Sequence, residues 1–364
     1  MSVLEKFDAW LAPDGPVAVT MREPLEPVLG KDAVIFPPTF APSVKGDAPP
    51  NYVIDETSQG KTAIVDTVGS QANRMEPLFK EEPYSKLVPR AMVKVGTARE
   101  VNLLDAGHRA ADALVRFSSQ KSVLSEAFRA ISESRDFAPL AKLAPTSLVF
   151  GVWDSRDTGV KVPRLIGSTV RAYDVEPLTR SAQYFSAFEK SETETLGQTQ
   201  EFLSEQGLSH AIGSRGPGGV VARGGIRRET VLNLVALRAL ATKSPEATRA
   251  LQRYVLGLAL VALTAPLELF LREGCLLVPS ESEPAVRNEV SRSGKRVPFS
   301  LNADSALEFA QAATTDFVVG KDWEKASFDD ELVKAAANVK IAKAKVAKEK
   351  KEKEAKEKKE KGGK

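Results

Sequence analysis

A segment rich in arginine and glycine, residues 214–228, carries the strongest chemical signal in the sequence. Six of the thirteen residues from 213 to 225 are glycine, and no acidic residue occurs between 214 and 228. Glycine lets a backbone approach a phosphate closely, and the planar arginine guanidinium binds phosphate and stacks on bases. We predict that Arg223, Arg227 and Arg228 hold phosphates where this segment opens a helix over 231–241. The alternative is a flexible hairpin with solvated arginines.

Two smaller polar sets offer the same chemistry. The first follows a predicted buried strand at 61–67 and consists of Ser70, Gln71, Asn73 and Arg74. Helix capping, with Ser70 as the N-cap, is the alternative for this set. The second set is Lys161, Arg164 and Arg171. Because seven residues separate the two arginines, a regular strand would place them on opposite faces, so that one binds a ligand and the other pairs with an acid.

Residues for catalysis and metal binding are scarce. The sequence has one cysteine, Cys275, and two histidines, His108 and His210. It contains no H-E-x-x-H, C-x-x-C or G-x-S-x-G, and the glycines at 219–224 have Walker-A spacing without the lysine and Ser/Thr that should follow them. We therefore predict no catalytic residue, no metal site and no cofactor. The single cysteine fits a reducing compartment.

Charge is distributed unevenly along the 364 residues. The chain carries 51 Lys and Arg against 48 Asp and Glu, whereas residues 340–364 alone hold 12 Lys and 5 Glu. The remainder is slightly acidic, so any nucleic-acid surface must come from local clusters of arginine. The tail is predicted to be a solvated helix or coil that aids solubility, or alternatively a tether for nucleic acid.

The pattern of apolar residues predicts an α+β protein. Apolar runs predict buried strands at 61–67, 146–153 and 162–175. Periodicity and caps predict helices over 105–117, 121–134, 245–263 and 303–313. The longest uncharged apolar run covers 254–267, which is shorter than the roughly 20 residues of a membrane span. We predict a cytoplasmic protein without a membrane partner.

Four motifs in a fixed order make the chain recognisable. They are DTVGSQANRME at 66–76, FGVWDS at 150–155, PR at 163–164 with RAYDV at 171–175, and GGIRR at 224–228. This series resembles the CRISPR-associated RAMP protein that forms the backbone of type I-G (formerly I-U) Cascade complexes. The resemblance covers about residues 15–310.

The resemblance implies a fold, a function and partners. The fold would be a modified RRM-like (ferredoxin-like) palm with finger and thumb insertions over 1–325, followed by a Lys/Glu-rich tail over 326–364. Copies of the non-catalytic subunit would line up along one CRISPR RNA beside other Cascade subunits, and the guide would pair with target DNA. The RNA-binding candidates matched to the motifs are Ser70, Gln71, Asn73, Arg74, Arg164, Arg171, Arg223, Arg227 and Arg228.

Two other functions stay open from the sequence. The first is a RAMP-type endoribonuclease that processes the CRISPR transcript with His108 or His210 as acid or base. The second is a scaffold protein that binds no nucleic acid and uses its Gly/Arg segment as a linker.

Overall fold

The computed structural model describes residues 2–41, 51–58, 60–181, 183–212 and 216–338. The strands are β1 (Ala18–Pro27), β2 (Thr39–Phe40), β3 (Asn51–Tyr52), β4 (Ile54–Thr57), β5 (Gly60–Asp66), β6 (Met92–Val95), β7 (Arg99–Asn102), β8 (Val152–Trp153), β9 (Lys161–Val162), β10 (Ile166–Tyr173), β11 (Val175–Arg180), β12 (Gln183–Tyr184), β13 (Ala211–Ile212), β14 (Gly216–Ala222), β15 (Ile226–Asn233), β16 (Leu269–Arg272), β17 (Cys275–Pro279), β18 (Val286–Val290), β19 (Arg296–Pro298) and β20 (Ala326–Ser327).

Helices fill the connections between the strands. The α-helices are α1 (Asp8–Leu11), α2 (Val68–Met75), α3 (Ala113–Arg116), α4 (Lys121–Ser134), α5 (Ala138–Leu143), α6 (Thr146–Phe150), α7 (Lys190–Glu194), α8 (Gln200–Glu205), α9 (Leu234–Arg238), α10 (Pro245–Thr264) and α11 (Ala303–Phe317). Short 3-10 helices cover Val3–Glu5, Glu76–Lys80, Ser85–Leu87, Leu103–Asp105 and Arg109–Ala111. The fold is therefore a mixture of α and β elements, as predicted.

An antiparallel sheet forms the centre of the molecule. Its strands lie in the order β16-β17-β1-β15-β10-β5-β4, and β18 pairs with β1 along residues 18–22. β15 lies between β1 and β10, with Val19 opposite Leu232 on one side and Ile166 opposite Leu232 on the other. Because β1 and β15 are both interior strands, side chains on their faces decide what each side of the sheet can bind.

One side of the sheet is covered by helices. Val19, Met21, Ile166 and Leu232 of the sheet share an apolar core with α4, α10 and α11. α10 is buried along most of its length, and a Cβ at Gly257 would come 2.8 Å from the Ala310 Cα, so glycine permits the close approach of α10 to α11. This helical layer leaves the opposite side of β1, β15 and β10 uncovered by the main core.

Several predicted elements are confirmed. The strand at 61–67 is β5, and the helices at 121–134, 245–263 and 303–313 are α4, α10 and α11. The run 162–175 contains β9 and β10. The single helix predicted over 105–117 is wrong, because this region is divided into short 3-10 turns and the four-residue α3. No helix in the described part of the chain is long and apolar enough to cross a membrane.

The predicted strand at 146–153 is wrong for most of its length. Residues Thr146–Phe150 form α6, and only Val152 and Trp153 are extended. All five residues of α6 are buried, so an apolar run without alternation reflects burial on every side and not strand geometry. Gly151, at φ +80°, then reverses the chain into the strand.

The predicted helix at 231–241 is also wrong in its position. β15 extends to Asn233, and the Asn233 side chain accepts from Ala236 N to cap the short helix α9. Arg227 and Arg228 therefore lie on a strand, away from any helix N-terminus. The strand alternates buried and exposed residues, but two of its buried positions are Arg228 and Thr230, which conceal the alternation in the sequence.

Candidate nucleic-acid interface

The uncovered face of the central sheet gathers arginines from three strands. Along β15 the side chains of Ile226, Arg228, Thr230 and Leu232 are buried, whereas Arg227, Glu229, Val231 and Asn233 point the other way. In the paired strands, Arg22 of β1 is opposite Glu229, and Arg171 of β10 is opposite Arg227. Register therefore brings three arginines that are far apart in sequence onto one face.

Glu229 and Tyr173 hold this arginine cluster in place. Arg22 Nε lies 3.2 Å from Glu229 Oε1, and the Tyr173 hydroxyl donates to Glu229 Oε2 at 2.8 Å. Arg171 lies 3.9 Å from the same carboxylate, and the Arg227 guanidinium stacks 4.2 Å from the centre of the Tyr173 ring. Burial first, and then the bond to Glu229, raises the pKa of Tyr173, so this hydroxyl stays a donor. Glu229 pairs with two of the three arginines, so the cluster keeps a positive charge.

Two cavities meet at this cluster. A groove of about 670 Å³ lies over the sheet face and is lined by Arg22, Thr169, Arg171, Asn288 and Arg296, among others. A second cavity of about 580 Å³ adjoins the turn between β14 and β15, and its charged lining comprises Arg22, Arg223, Arg227 and Lys31 together with Glu26, Asp32 and Glu283. Since Arg22 borders both, the cations form a path from the sheet face to the turn. Such a path suits an extended polyanion better than a compact ligand.

Arg223 occupies that turn and is solvent-exposed. Its guanidinium lies 3.1 Å from Glu176 and 3.5 Å from Asp32, both of which are also exposed. Exposed ion pairs contribute little to stability, so phosphate can compete for Arg223.

Arg228, in contrast, faces the protein interior. Its side chain is 7% exposed, and its Nε lies 2.6 Å from Glu23 Oε2 in an ion pair whose angle does not suit a hydrogen bond. Burial lowers the pKa of nearby Arg287, whose charge Glu23 helps to retain. Arg228 therefore belongs to a buried charge cluster under β1 and β15, and its position does not fit the phosphate contact predicted for it.

The side chains of the set at 70–74 differ in burial. Thr67, and not Ser70, caps α2, since its side chain accepts from Ser70 N. Gln71 is fully buried and bonds both Asp66 and Ser168, while Arg74 pairs with Asp66 at 3.0 Å. Arg74 also donates to the carbonyls of Phe270 and Leu271. These bonds fasten α2 beneath β10 and leave Ser70 half-buried and Asn73 exposed.

A second cluster lies beside the first residue of β10, where motifs distant in sequence meet. Gly151 approaches Arg164 so closely that a Cβ there would lie 3.0 Å from Arg164 N. Arg164 donates through Nε to the Phe150 carbonyl at 2.9 Å, and buried Arg109 donates to Gly151 O and to Asn73 Oδ1. Burial, and then Arg109, lowers the pKa of Arg164. Asn73 and Arg164 thus border the same turn.

A buried ion pair supports this turn. Arg109 Nε lies 2.7 Å from Glu76 Oε2, and both side chains are buried. Burial raises the pKa of Glu76 to about 7, although the charge of Arg109 acts in the opposite direction. The pair positions Arg109 and does not itself reach the surface.

One histidine is hydrogen-bonded within the protein, and the other is exposed. His210 Nδ1 accepts from Ser186 N at 3.0 Å beside the Phe185 ring, while exposed His108 precedes a 3-10 turn. Cys275 is buried, which raises the pKa of its thiol to about 11. Within the described ranges, no group of three or more His, Cys, Asp or Glu side chains could hold a metal ion.

Sequence reasoning missed Arg22, Tyr173 and Glu229. Tyr173 lies within a motif that was recognised, but Arg22 and Glu229 carry no local signal, because only the pairing of β1 with β15 brings them together.

Part of this chain matches a known protein family. A family model described as CRISPR-associated protein GSU0053 matches residues 19–177, which contain β1, β5, α2 and β10. A chain in a solved structure described as "CRISPR RNA-guided surveillance complex, pre-nicking" is 10% identical with a TM-score of 0.33, covering 89% of this chain and 100% of that chain. No curated protein matches the present chain. The family match agrees with the resemblance recognised from the sequence motifs: residues 19–177 of this chain are similar to the CRISPR-associated GSU0053 family.

Proposed function

We propose that this chain is the RNA-binding backbone subunit of a type I-G Cascade effector complex. It would hold CRISPR RNA by its phosphates on the uncovered sheet face, while the bases pair with target DNA. The observation that carries the proposal is the cluster of Arg22, Arg171 and Arg227 on the side of the sheet opposite the helices. Arginines hold phosphates by charge and by paired hydrogen bonds, without reading sequence.

The strand order supports an RRM-like palm. β17, β1, β15 and β10 are adjacent and antiparallel, with helices in the connection from β1 to β10 and again after β15. This is the 4-1-3-2 order of a βαββαβ unit whose two central strands are β1 and β15. RRM domains bind single-stranded RNA on the open face of those two strands. Arg22 and Arg227 occupy that face in place of the usual stacking aromatics.

An acidic segment with exposed aromatic side chains supports assembly along the RNA. Residues 184–205 follow β11 and contain five glutamates and one lysine. Tyr184, Phe188 and Phe202 are exposed, and Phe185 is 72% exposed. An exposed apolar patch within an acidic segment is a candidate protein contact. We propose that it meets a basic surface of the next copy or of another Cascade subunit.

The proposal assigns no catalysis to this subunit. His210 is engaged by the Ser186 amide, and His108 does not line either cavity at the arginine cluster. Incubating the purified chain with CRISPR transcript should leave the RNA uncut. Cleavage that requires His108 or His210 would support the endoribonuclease alternative instead.

Co-expression with a CRISPR array tests the function directly. The purified protein should carry RNA, with a high ratio of absorbance at 260 nm to 280 nm, and should elute as a multimer. Ribonuclease treatment should reduce its mass. A protein free of RNA, with a mass that ribonuclease does not change, would favour the scaffold alternative.

Glu229→Gln should strengthen RNA binding. Glu229 neutralises part of the arginine cluster and is itself partly exposed, so its removal frees Arg22 and Arg171 for phosphate. A surface charge at about 4 Å is worth ~1 kcal/mol, which corresponds to about a fivefold gain in affinity at low salt. Fluorescence anisotropy with labelled single-stranded RNA measures the gain.

The matched control for this prediction is Glu133→Gln. It removes the same charge from an exposed position on α4. We expect no comparable gain from the control, and the gain from Glu229→Gln should shrink as salt screens the cluster. Equal gains from both variants would mean that net charge, and not the site, controls binding.

A further inference from the structure

The hairpin formed by β8 and β9 exposes a tryptophan that no packing role explains. The Trp153 side chain is 60% exposed, although a tryptophan can bury 150–250 Å² when it packs in a core. The chain's other tryptophans are engaged: Trp10 is buried, and Trp323 donates to the Leu143 carbonyl. The exposed ring of Trp153 is therefore available to a ligand.

The hairpin holds this ring in a fixed place. Trp153 is the register partner of Lys161, and the Lys161 Nζ lies 5.5 Å from the ring centre. The intervening loop is fastened by buried Asp154, which accepts from both the amide and the hydroxyl of Thr158 at 2.9 and 2.7 Å. Asp157, the other acid of the loop, is bonded to the Ser125 hydroxyl on α4. The stacking surface thus exists before any ligand arrives.

The surroundings of Trp153 suit single-stranded RNA. Arg164 is exposed, and within the described residues it has no carboxylate partner, in contrast to Arg171 and Arg223. Lys161 likewise forms no ion pair within the described residues. Its ammonium group contacts the tryptophan ring instead. Cations next to an exposed aromatic ring are the combination that binds a phosphate and stacks the attached base.

The β8–β9 hairpin also lies next to the start of β10, the strand that carries Arg171. β10 begins two residues after Arg164, and Leu165 is bonded to Val149 on one side and to Asn233 of β15 on the other. From Arg164 to Arg171 the chain advances about 23 Å at ~3.3 Å per residue. Arg164 precedes β10, so the strand alternation that fixes the direction of Arg171 does not extend to it, and an RNA held at Arg171 would reach Arg164 at the end of β10.

From these observations we propose that Trp153 stacks on a nucleobase of the RNA, while Lys161 and Arg164 hold the flanking phosphate. This inference rests on the proposed function, because it needs RNA on the sheet face. It adds a contact with a base. That contact would fix the position of one nucleotide along the groove.

The experiment compares single-stranded RNA with an oligonucleotide of the same length that lacks bases. Trp153→Ala should lower the affinity for RNA about 5- to 100-fold and leave the affinity for the abasic oligonucleotide unchanged. Trp153→Phe should restore most of the loss. Arg171→Ala should weaken both ligands alike, because it removes a phosphate contact.

Tryptophan fluorescence gives a second measurement that does not depend on affinity. RNA should quench the wild-type emission, and Trp153→Phe should abolish the quenching, whereas Trp323→Phe should retain it. Three results would overturn the proposal. Trp153→Ala could affect both ligands equally, it could affect neither, or it could reduce self-association without any dependence on bases. If the wild-type chain binds neither ligand, the proposed function fails as well, which distinguishes the two failures.

Discussion

Arg171→Ala combined with Arg227→Ala should weaken the binding of single-stranded RNA about 100-fold at low salt. The two arginines are register partners on β10 and β15, and both border the grooves of the sheet face. Each hydrogen bond to a charged group contributes about 1.5–3 kcal/mol. The loss should be similar for unrelated sequences, since phosphates carry no sequence information. Binding titrations with two RNAs of different sequence measure it.

The salt dependence of the same variant should change in parallel. If Arg22, Arg171 and Arg227 each neutralise a phosphate, the logarithm of the affinity should fall with the logarithm of salt at a slope near −2, at ~0.7 per contact. The double variant should flatten this slope by roughly 1.4. Lys121→Ala with Arg129→Ala, which removes two cations from α4, is the control and should leave the site intact. Equal losses in both double variants would contradict a localised interface.

Arg228→Met should destabilise the protein by about 3 kcal/mol, whereas the same change at its neighbour Arg227 should have a much smaller effect. Arg228 is buried against Glu23, and breaking a buried ion pair leaves a charge without its partner, which costs 3–5 kcal/mol. Arg287 lies near enough to take over part of the interaction, so the lower end of that range applies. Urea unfolding, with Arg227→Met as the matched variant, measures the difference.

A double variant separates loss of the pair from loss of packing. Arg228→Met together with Glu23→Leu replaces both charges by apolar groups and should recover part of the stability. The recovery is incomplete because Arg287 also loses the carboxylate that helps it to stay charged. If Arg228→Met changed RNA binding while stability stayed at the wild-type level, Arg228 would be an RNA contact and the assignment of an internal role would be wrong.

The elements that the sequence predicts well are those with local signals. α10 begins at Pro245 behind the capping Ser244, and the apolar run in its middle is long enough for a buried helix. α4 shows Leu124, Ala127 and Phe128 on one buried face. In each case, the spacing within a single segment determines the structure.

The elements that the sequence predicts poorly depend on distant partners. Arg228 and Thr230 fill buried positions of β15, because Glu23 and Ser168 on the adjacent strands satisfy them. Because these partners are distant in sequence, the residues at 226–233 do not show the apolar alternation that predicts a strand. The GGIRR motif points to this segment but does not tell which of its two arginines faces outward, since that follows from strand register.

The candidate site was predictable only in part, for the same reason. Arg171, Arg227 and Arg223 were identified from their motifs, whereas Arg22 and Glu229 join them through the pairing of β1 with β15. Arg215, from the same Gly/Arg segment, and the Lys-rich tail at 340–364 lie outside the described residues. The roles predicted for them stay predictions.

Mapping photo-crosslinks between the protein and RNA that carries a photoreactive uridine tests the central claim most directly. We expect crosslinked peptides from the uncovered faces of β1, β10 and β15, with Tyr173 prominent because its ring lies beside Arg227. Crosslinks confined to the helical side of the sheet, on α4, α10 or α11, would contradict an RNA path across the arginine cluster.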